Sequence, residues 1–258
     1  MFDDRREVDE QLARIARPVV AMAADYPPGH SVPPHRHERA QLVYASAGVM
    51  QVSAEAGTWI VPPERAVWVP AGMTHEIRMH GRIEMRTIYV AAEAAKRLMP
   101  DCCVISVPPL LRELILRAMT LPPDYDEAGA EGRIMTLILD EIRALPTAPL
   151  HLPQARDARL ARVTEALSDN PGDERTLAAL ARQAGASPRT LARLFIKETG
   201  LTFGAWRQRA RLLQALTWLA KGRAVTTVAL DLGYDSPSAF IAAFKRSFGV
   251  TPAKYFKA

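Results

Sequence analysis

The sequence has little cysteine. Its only two cysteines, Cys102 and Cys103, are adjacent. A disulfide framework needs pairs that are separated along the chain, so this pattern is typical of a reducing compartment. We expect both residues to be small buried side chains; a redox or thiolate-metal role is the alternative.

The sequence also lacks long apolar runs. No stretch of the 258 residues approaches the roughly 18 apolar residues of a membrane span. The first ten residues, MFDDRREVDE, are charged and do not resemble a signal peptide. We therefore expect a cytoplasmic protein with no membrane partner.

Acidic residues are scarce in the C-terminal part. Residues 1–150 contain 16 Lys/Arg and 20 Asp/Glu, whereas residues 151–258 contain 17 and 8, so the net charge of +5 divides into −4 and +9. A basic domain attracts polyanions by releasing their counterions. An arginine-rich, solvated surface has the same composition, and charge alone does not separate the two interpretations.

The N-terminal part is rich in short β-type segments. Between residues 18 and 90, runs such as QLVYAS, VMQVSA and MRTIYVA are separated by Gly, Pro and polar breaks. This spacing predicts a sandwich or barrel. Residues 91–144 change character: AAEAAKRLM is compatible with a helical turn or more, and PPLLRELILRAMTL and EGRIMTLILDEIRAL predict amphipathic helices. These helices either pack on the barrel or form the interface of a homodimer.

A proline-rich segment marks the domain boundary. LPTAPLHLP, at residues 145–153, has three prolines in nine positions and predicts an extended connector. We therefore divide the chain into a β-rich domain with appended helices (1–144), a linker (145–156) and a helical domain (157–258).

One supersecondary motif occurs twice in the basic part. The first copy is GASPRTLARLFIKETGLTFGAW, from Gly185, and the second is GYDSPSAFIAAFKRSFGVTPAKY, from Gly233. Aligned on Ser187 and Ser236, 49 residues apart, the copies share a large apolar residue, a Phe, a Gly, a Thr and an aromatic residue at equal offsets. Two copies of one unit indicate a duplicated function.

Each copy has the parts of a helix-turn-helix. Gly185 and Gly233 end the first helix of each pair, and Ser187 and Ser236 cap the second helix, which begins with proline. Apolar residues of the second helix face the core, and the other positions are free to enter a major groove. The predicted DNA-contact positions are Ser187, Arg189, Thr190, Arg193 and Lys197 in the first copy and Ser236, Ser238, Ala239, Ala242, Lys245 and Arg246 in the second.

The two predicted recognition helices differ in chemistry. Arg189 and Arg193 are the predicted contacts to base edges. Lys197, Lys245 and Arg246 lie farther along their helices and are predicted phosphate contacts. The exposed face of the second helix is poor in long polar side chains, so it either reads methyl groups and phosphates or contributes mostly affinity.

The segment between the copies predicts one long helix, from Phe203 to Ala220. Its length of about 27 Å, at about 1.5 Å per residue, is compatible with the roughly 34 Å between successive major grooves on one DNA face.

Residues 157–258, and ALDLGYDSPSAFIAAFKRSFGVTPAKYF in particular, resemble the DNA-binding domain of AraC/XylS-type bacterial transcription regulators. The resemblance implies seven helices, two recognition helices and binding in consecutive major grooves. The chain departs from the family at Ala242, where relatives often carry a polar or basic residue.

The N-terminal part carries a histidine pattern. The even spacings of His35, His37 and Gln41 place them on one face of a strand, and His75 ends the later segment PAGMTH. These segments resemble the two-part cupin motif, whose metal-binding members have three His and usually a Glu at the matching positions. The resemblance implies His35, His37, Gln41 and His75 as ligands of a divalent transition metal such as Zn, Ni or Fe.

Other interpretations of this pattern remain open. Gln41 is a neutral amide, a weaker ligand than a carboxylate, although three His and a weak fourth donor can hold a metal with an open position. The alternatives are an organic effector bound without metal and a purely structural barrel. Tyr44, Met50, Trp59 and Trp68 either line an effector pocket or belong to the core.

The expected fold class is multidomain α+β, with an N-terminal cupin-like β-barrel and appended helices, then an all-α domain with two helix-turn-helix motifs. The expected function is that of a sequence-specific DNA-binding transcription regulator, not an enzyme, whose DNA affinity responds to a small molecule or metal in the cupin domain. The expected partners are double-stranded DNA, that effector, a second copy of the chain and RNA polymerase. The alternatives are a cupin metalloenzyme fused to a DNA-binding domain and a ligand-independent DNA binder.

Overall fold

The computed structural model describes residues 5–144, 147–148 and 150–255. Contacts divide the chain into two compact units: the first contains Met1–Glu55 and Trp59–His151, and the second contains Ala56–Thr58 and Leu152–Ala258. The division after residue 151 falls inside the linker proposed at 145–156. Residues 145, 146 and 149 of that linker, and 256–258 of the proposed DNA-binding domain, lie outside the described residues.

Within the described residues, the first unit contains four helices and, except for residues 57–58 and 152–153, two antiparallel β-sheets. The helices are α1 (Arg5–Arg14), α2 (Ala92–Ala95), α3 (Pro109–Ala118) and α4 (Ala130–Ala144). The strands are β1 (Val19–Tyr26), β2 (Ser31–His35), β3 (Ala40–Ala45), β4 (Val49–Ala54), β5 (Gly57–Val61), β6 (Arg65–Val69), β7 (His75–His80), β8 (Ile83–Val90), β9 (Cys103–Ser106), β10 (Thr147–Ala148) and β11 (His151–Pro153). One sheet has the strand order β1-β8-β3-β6-β9-β10, and the other has the order β11-β5-β4-β7-β2.

Strand β3 is buried on both faces, which explains its nearly unbroken apolar sequence. Leu42 and Tyr44 belong to a core cluster with Ile115 of α3 and Ile138 of α4, so the amphipathic helices pack on this sheet. Gln41, on the alternate face, meets a side chain of the five-stranded sheet. One face of β3 is therefore core, and the other faces the space between the sheets.

Residues 103–106, between α2 and α3, form a strand that the sequence pattern does not predict. Strand β9 pairs with β6, because Val67 and Val104 are register partners. A run of four residues is too short to show a period of two. Burial raises the pKa of the Cys103 thiol, at the start of β9, to about 11, and raises that of Cys102 well above its ordinary value.

The second unit is helical. Its helices are α5 (Ala158–Asp169), α6 (Leu177–Gln183), α7 (Pro188–Leu194), α8 (Phe203–Ala220), α9 (Val225–Asp231), α10 (Pro237–Phe248) and α11 (Pro252–Tyr255). Helix α7 continues into a π-helical segment, Phe195–Thr199, which the sequence pattern does not reveal. Helix α8 has the predicted bounds, and the expected fold class is confirmed. In the described ranges, none of the helices combines the length and apolarity of a membrane span.

Local chemistry explains both helix-turn-helix units. Ser187 Oγ accepts from the Thr190 amide at 3.1 Å, and Ser236 Oγ accepts from the Ala239 amide at 3.2 Å, as capping predicts. The turn before α7 has its glycine at φ +69°, and the turn before α10 has its glycine at φ +70°, a region that favours glycine. The predicted caps and turns are confirmed.

Candidate metal centre and nucleic-acid interface

The four predicted metal ligands come from both sheets of the first unit. His35 ends β2 and is the register partner of His75, which begins β7. His37 lies in the following loop, and Gln41 lies on β3 of the other sheet. The prediction that alternation along one strand aligns His35, His37 and Gln41 is therefore wrong. The chain leaves one sheet after His35 and enters the other at Ala40, and the side chains converge between the sheets.

The three imidazoles form a compact cluster. One ring nitrogen from each of His35, His37 and His75 lies within 4.8 Å of the others. His37 and His75 are buried, with 4% and 2% of their surface exposed. The loop that carries His37 is held in place because the Gly72 amide donates to the His37 carbonyl at 2.8 Å. This donor set, of borderline-soft imidazoles, is one that divalent transition metals accept.

Two backbone carbonyls determine which ring nitrogen faces the cluster. His35 Nδ1 lies 2.8 Å from the Pro33 carbonyl oxygen, and His75 Nδ1 lies 3.0 Å from that of Met73. A carbonyl oxygen only accepts, so each Nδ1 carries a hydrogen and donates it. The Nε2 of a neutral ring then holds the lone pair that a metal needs. Metal-binding histidines ordinarily have an orienting partner of this kind.

Gln41 is fully buried and joins His75 to Tyr89. Its Oε1 lies 3.1 Å from His75 Nε2, and its Nε2 donates to the Tyr89 hydroxyl at 3.2 Å. A neutral His75 with its hydrogen on Nδ1 pairs with this side chain only if the amide is turned so that its NH2 donates. In both orientations the amide bridges two groups. Gln41 therefore acts as a fourth ligand only by releasing His75.

Tyr89 is a site residue that the sequence analysis misses. It is the register partner of Gln41 across β3 and β8, and its ring meets that of His37 edge-on, with centroids 5.2 Å apart. No local spacing distinguishes it from a core aromatic residue. Two candidates for the pocket, Tyr44 and Trp68, instead belong to the core cluster beneath α3 and α4.

A cavity of about 710 Å³ opens beside the cluster. Its lining includes Leu12 of α1, Arg36, His37 and Gly72. Arg39 also lines it, and its guanidinium donates to three carbonyl oxygens at and just after the end of α1. Small-molecule pockets commonly enclose about 300–1,000 Å³. The site therefore has room for a ligand next to His37.

The first recognition helix presents a basic face. Arg189 and Arg193 on α7 are exposed, as is Lys197 on the π-helical segment. Ser187 is exposed at the cap, and Thr190 is half-buried, with their hydroxyl oxygens 2.9 Å apart. The five predicted contact positions of the first copy therefore lie at the surface of one short helix and its extension.

The second recognition helix presents small residues first and basic residues last. Phe240 and Phe244 are fully buried and anchor α10 in the core. The half-buried Ser236 is the cap, and the exposed positions are Ser238, Ala239, Ala242, Lys245 and Arg246. The structure thus places all eleven predicted DNA-contact residues at the surface, and their contact with DNA stays a prediction.

The chain matches known protein families along most of its length. The description "AraC-like ligand binding domain" matches residues 17–185, and "Helix-turn-helix domain" matches residues 180–258. The HTH-type transcriptional regulator NimR of Escherichia coli K12 is 36% identical over 224 residues, which cover 86% of this chain and 81% of that protein.

More distant relatives carry similar names. The arabinose operon regulatory protein of Escherichia coli K12 is 29% identical over 133 residues, or 51% of this chain and 44% of that protein. The structure of ToxT from Vibrio cholerae aligns with 93% of this chain and 98% of its own, at 8% identity and a TM-score of 0.40, which is too low to carry an inference.

Proposed function

The chain belongs to the AraC family of DNA-binding transcription regulators, and from that membership we propose which residues read DNA and what the first unit senses. In this proposal α7 and α10 enter two consecutive major grooves. The observation that carries it is the pair of serine-capped helices, with exposed arginines or lysines, joined by the 18-residue helix α8.

The proposed roles follow from position on the helices. Arg189 is the second residue of α7, and Arg193 lies one turn later on the same short helix, so both are assigned to base edges, where bidentate arginine contacts to guanine are common. Lys197, Lys245 and Arg246 lie farther along and contact phosphates. Phosphate contacts position a protein, and base contacts specify its site.

The test begins with duplexes that the full chain selects from random sequence. Arg189→Ala or Arg193→Ala should weaken binding to the selected site by about 1–3 kcal/mol and relax sequence preference at one position. Lys197→Ala is the matched control, because loss of a phosphate contact weakens all sequences about equally and reduces the salt dependence of binding. If sequence preference is unchanged in both arginine variants, the assignment of base contacts is wrong.

For the first unit, the proposed ligand is a divalent transition metal, Zn, Ni or Fe, held by His35, His37 and His75 with Gln41 as a weak fourth ligand. The support is the anchoring of two Nδ1 atoms by backbone carbonyls, which directs Nε2 into the cluster. When bound, the metal would supply Lewis acidity. A small-molecule effector that enters the cavity beside His37 is the second part of the proposal.

Metal content of the purified full chain tests this proposal. The double variant His35→Ala with His37→Ala should lose the metal, whereas the control His30→Ala, which removes a histidine stacked on Tyr26 instead, should keep it. Metal should change affinity for the selected duplex by about 5–150-fold, the usual scale of coupling between sites. If the double variant keeps its metal, the metal binds at other residues. If DNA affinity responds to organic compounds but not to metal, the metal-free alternative is favoured.

Three further assignments are proposed. The chain forms a homodimer through α3 and α4, which expose Leu110 and Leu137. Leu137→Glu should therefore shift its sedimentation towards the monomer.

RNA polymerase is a partner, and recruitment to a promoter that carries the selected site tests this. The chain is not an enzyme; sustained metal-dependent oxygen consumption would contradict that proposal and favour the metalloenzyme alternative.

A further inference from the structure

One arginine binds both helix-turn-helix units. Arg211 lies on α8, between the first pair (α6 and α7) and the second pair (α9 and α10). Its Nε donates to the Pro171 carbonyl at 2.9 Å, and its terminal nitrogens donate to the carbonyls of Asp173 at 3.3 Å and Gly233 at 3.0 Å. Pro171 and Asp173 lie in the loop before α6, and Gly233 forms the turn before α10. A single guanidinium therefore holds backbone from both pairs.

The two backbones also touch directly at glycines. A Cβ added to Gly172 would lie 2.3 Å from the carbonyl oxygen of Asp231, at the end of α9. A Cβ added to Gly233 would lie 2.9 Å from the Gly172 carbonyl oxygen and 2.7 Å from a guanidinium nitrogen of Arg211. A larger residue at Gly172 requires a shift of backbone in one of the two pairs, and one at Gly233 requires a shift of the Arg211 guanidinium and of the Gly172 backbone.

Helix α8 contributes to the packing of both pairs. The core of the first pair includes Trp206 and Ala210 of α8, so the N-terminal half of this helix is part of that structure. The second pair follows α8 through a turn at Gly222, whose φ is +78°. The C-terminal half of α8 is buried as well and contacts α9, which holds the second pair to this helix. The bond from Arg211 to Gly233 supplies a second attachment point, at the turn before α10.

The second attachment point leads to the recognition helix. The Arg211 guanidinium lies 5.8 Å from the ring centroid of Tyr234, whose hydroxyl accepts a hydrogen bond from Gln208 at 2.9 Å. The Tyr234 ring in turn packs edge-on against Phe240 of α10, with centroids 5.3 Å apart. The position of α10 is therefore coupled to α8 through Tyr234.

We infer that Arg211, together with Gly172 and Gly233, is the joint that fixes the distance and rotation between α7 and α10, and so sets the one spacing of two half-sites that this protein reads. The inference rests on the proposed DNA-reading function. Arg211 acts on DNA through the placement of α10, so it is a positioning residue.

The experiment measures how DNA affinity depends on the spacing of the two half-sites. If Arg211 only stabilised the fold, its replacement would not change this dependence. The full chain is assayed on its selected duplex, on duplexes with either half scrambled, and on duplexes with one base pair inserted or deleted between the halves. One base pair rotates the half-sites by about 35° relative to each other. The wild type should lose about 100-fold in affinity when spacing changes, the scale of the gain from simultaneous engagement.

In Arg211→Met, which keeps the length of the side chain but donates no hydrogen bond, affinity for the optimal duplex should fall about 10-fold and vary less than about threefold with spacing. Binding to duplexes with one scrambled half should stay at the wild-type level. Arg211→Lys keeps the charge but not the donor fork, so it should restore only part of the spacing preference. Lys221→Met, at an exposed lysine, is the control for loss of one charge.

Gly172→Ala tests the same joint without altering Arg211. It should relax or shift the preferred spacing, because its methyl group collides with the Asp231 carbonyl oxygen. Gly204→Ala is the matched control, since a Cβ there meets nothing within 4 Å, and it should bind as the wild type does. If Arg211→Met does not fold, the spacing preference of Gly172→Ala alone decides whether the proposed joint is correct.

Two results would overturn the inference while leaving the proposed function intact. One is an unchanged spacing preference in both joint variants. The other is an equal loss on full and half-scrambled duplexes, which would mean that Arg211 supports the fold or contacts DNA itself. If the wild type selects no sequence at all, the proposed function fails, and the joint fails with it.

Discussion

Asp173→Asn should destabilise the second unit measurably, because Asp173 supports the loop that Arg211 binds. The carboxylate is 6% exposed, accepts from Arg175 Nε at 2.7 Å and from the Arg175 amide at 2.8 Å, and pairs with a terminal nitrogen of the same guanidinium. Hydrogen bonds to charged groups contribute about 1.5–3 kcal/mol each. Asparagine keeps the acceptor for the amide but loses the charge, so we expect a loss of about 1–3 kcal/mol at pH 7.

The pH dependence of this loss has a definite sign. The Arg175 guanidinium lowers the pKa of Asp173 below its ordinary value. A carboxyl with a lowered pKa in the folded state stabilises the fold above its unfolded pKa of about 3.9, and this contribution disappears as pH falls through the folded value. The difference between wild type and Asp173→Asn should therefore be full at pH 7 and should shrink below about pH 4.

Hydrogen-exchange mass spectrometry in increasing urea measures this difference, because peptides from α5 and α6 report on the second unit alone. Asp231→Asn is the matched control: Asp231 pairs with Arg223, but the two side chains are 46% and 35% exposed. Exposed pairs contribute about 0–1 kcal/mol, so the control should lose much less. Equal losses in the two variants, or a difference that does not change with pH, would refute the reasoning.

Three further predictions concern other parts of the chain. Tyr89→Phe removes the hydroxyl that orients Gln41, so metal affinity should fall about 10-fold; unchanged affinity in a metal titration would mean that Gln41 is not a ligand. Ser187→Ala removes the cap of α7 and should lower the free energy of opening of the α7 amides, measured by hydrogen exchange, by about 0.5–2 kcal/mol. The amides of α10, which Ser236 caps, should exchange as in the wild type. Cys103, with its pKa at about 11, should react with iodoacetamide at pH 8 about 100-fold more slowly than a free cysteine, and faster as pH rises; a rapid reaction would contradict the burial.

The features that the sequence predicts well depend on local chemistry. Helix α8 begins and ends where it was expected because Thr202 caps its start and Gly222 follows its end. The two helix-turn-helix units were found because serine caps and glycine turns leave the same signature in each copy. Capping and positive φ are decided within a few residues, so a single sequence contains the necessary information.

The missed features depend on distant partners. The side chains of Gln41 and His75 meet because two sheets face each other, and no spacing within either segment encodes that arrangement. Arg211 looks like any other arginine of a basic helix, because its acceptors lie 40, 38 and 22 residues away. Tyr89 is likewise defined only by the pairing of β3 with β8.

The difference between the two recognition helices explains why the joint at Arg211 should matter for specificity. The exposed arginines of α7 can each form bidentate contacts with a base, worth about 1–3 kcal/mol of discrimination. The first exposed turns of α10 offer Ser238, Ala239 and Ala242, so in the proposed function this helix would read methyl groups and phosphates or would contribute mostly affinity. Phosphate contacts have no sequence preference of their own. In the proposed function, the second helix would add specificity only where α7 has already set the register, and the proposed joint at Arg211 would transmit that register to α10.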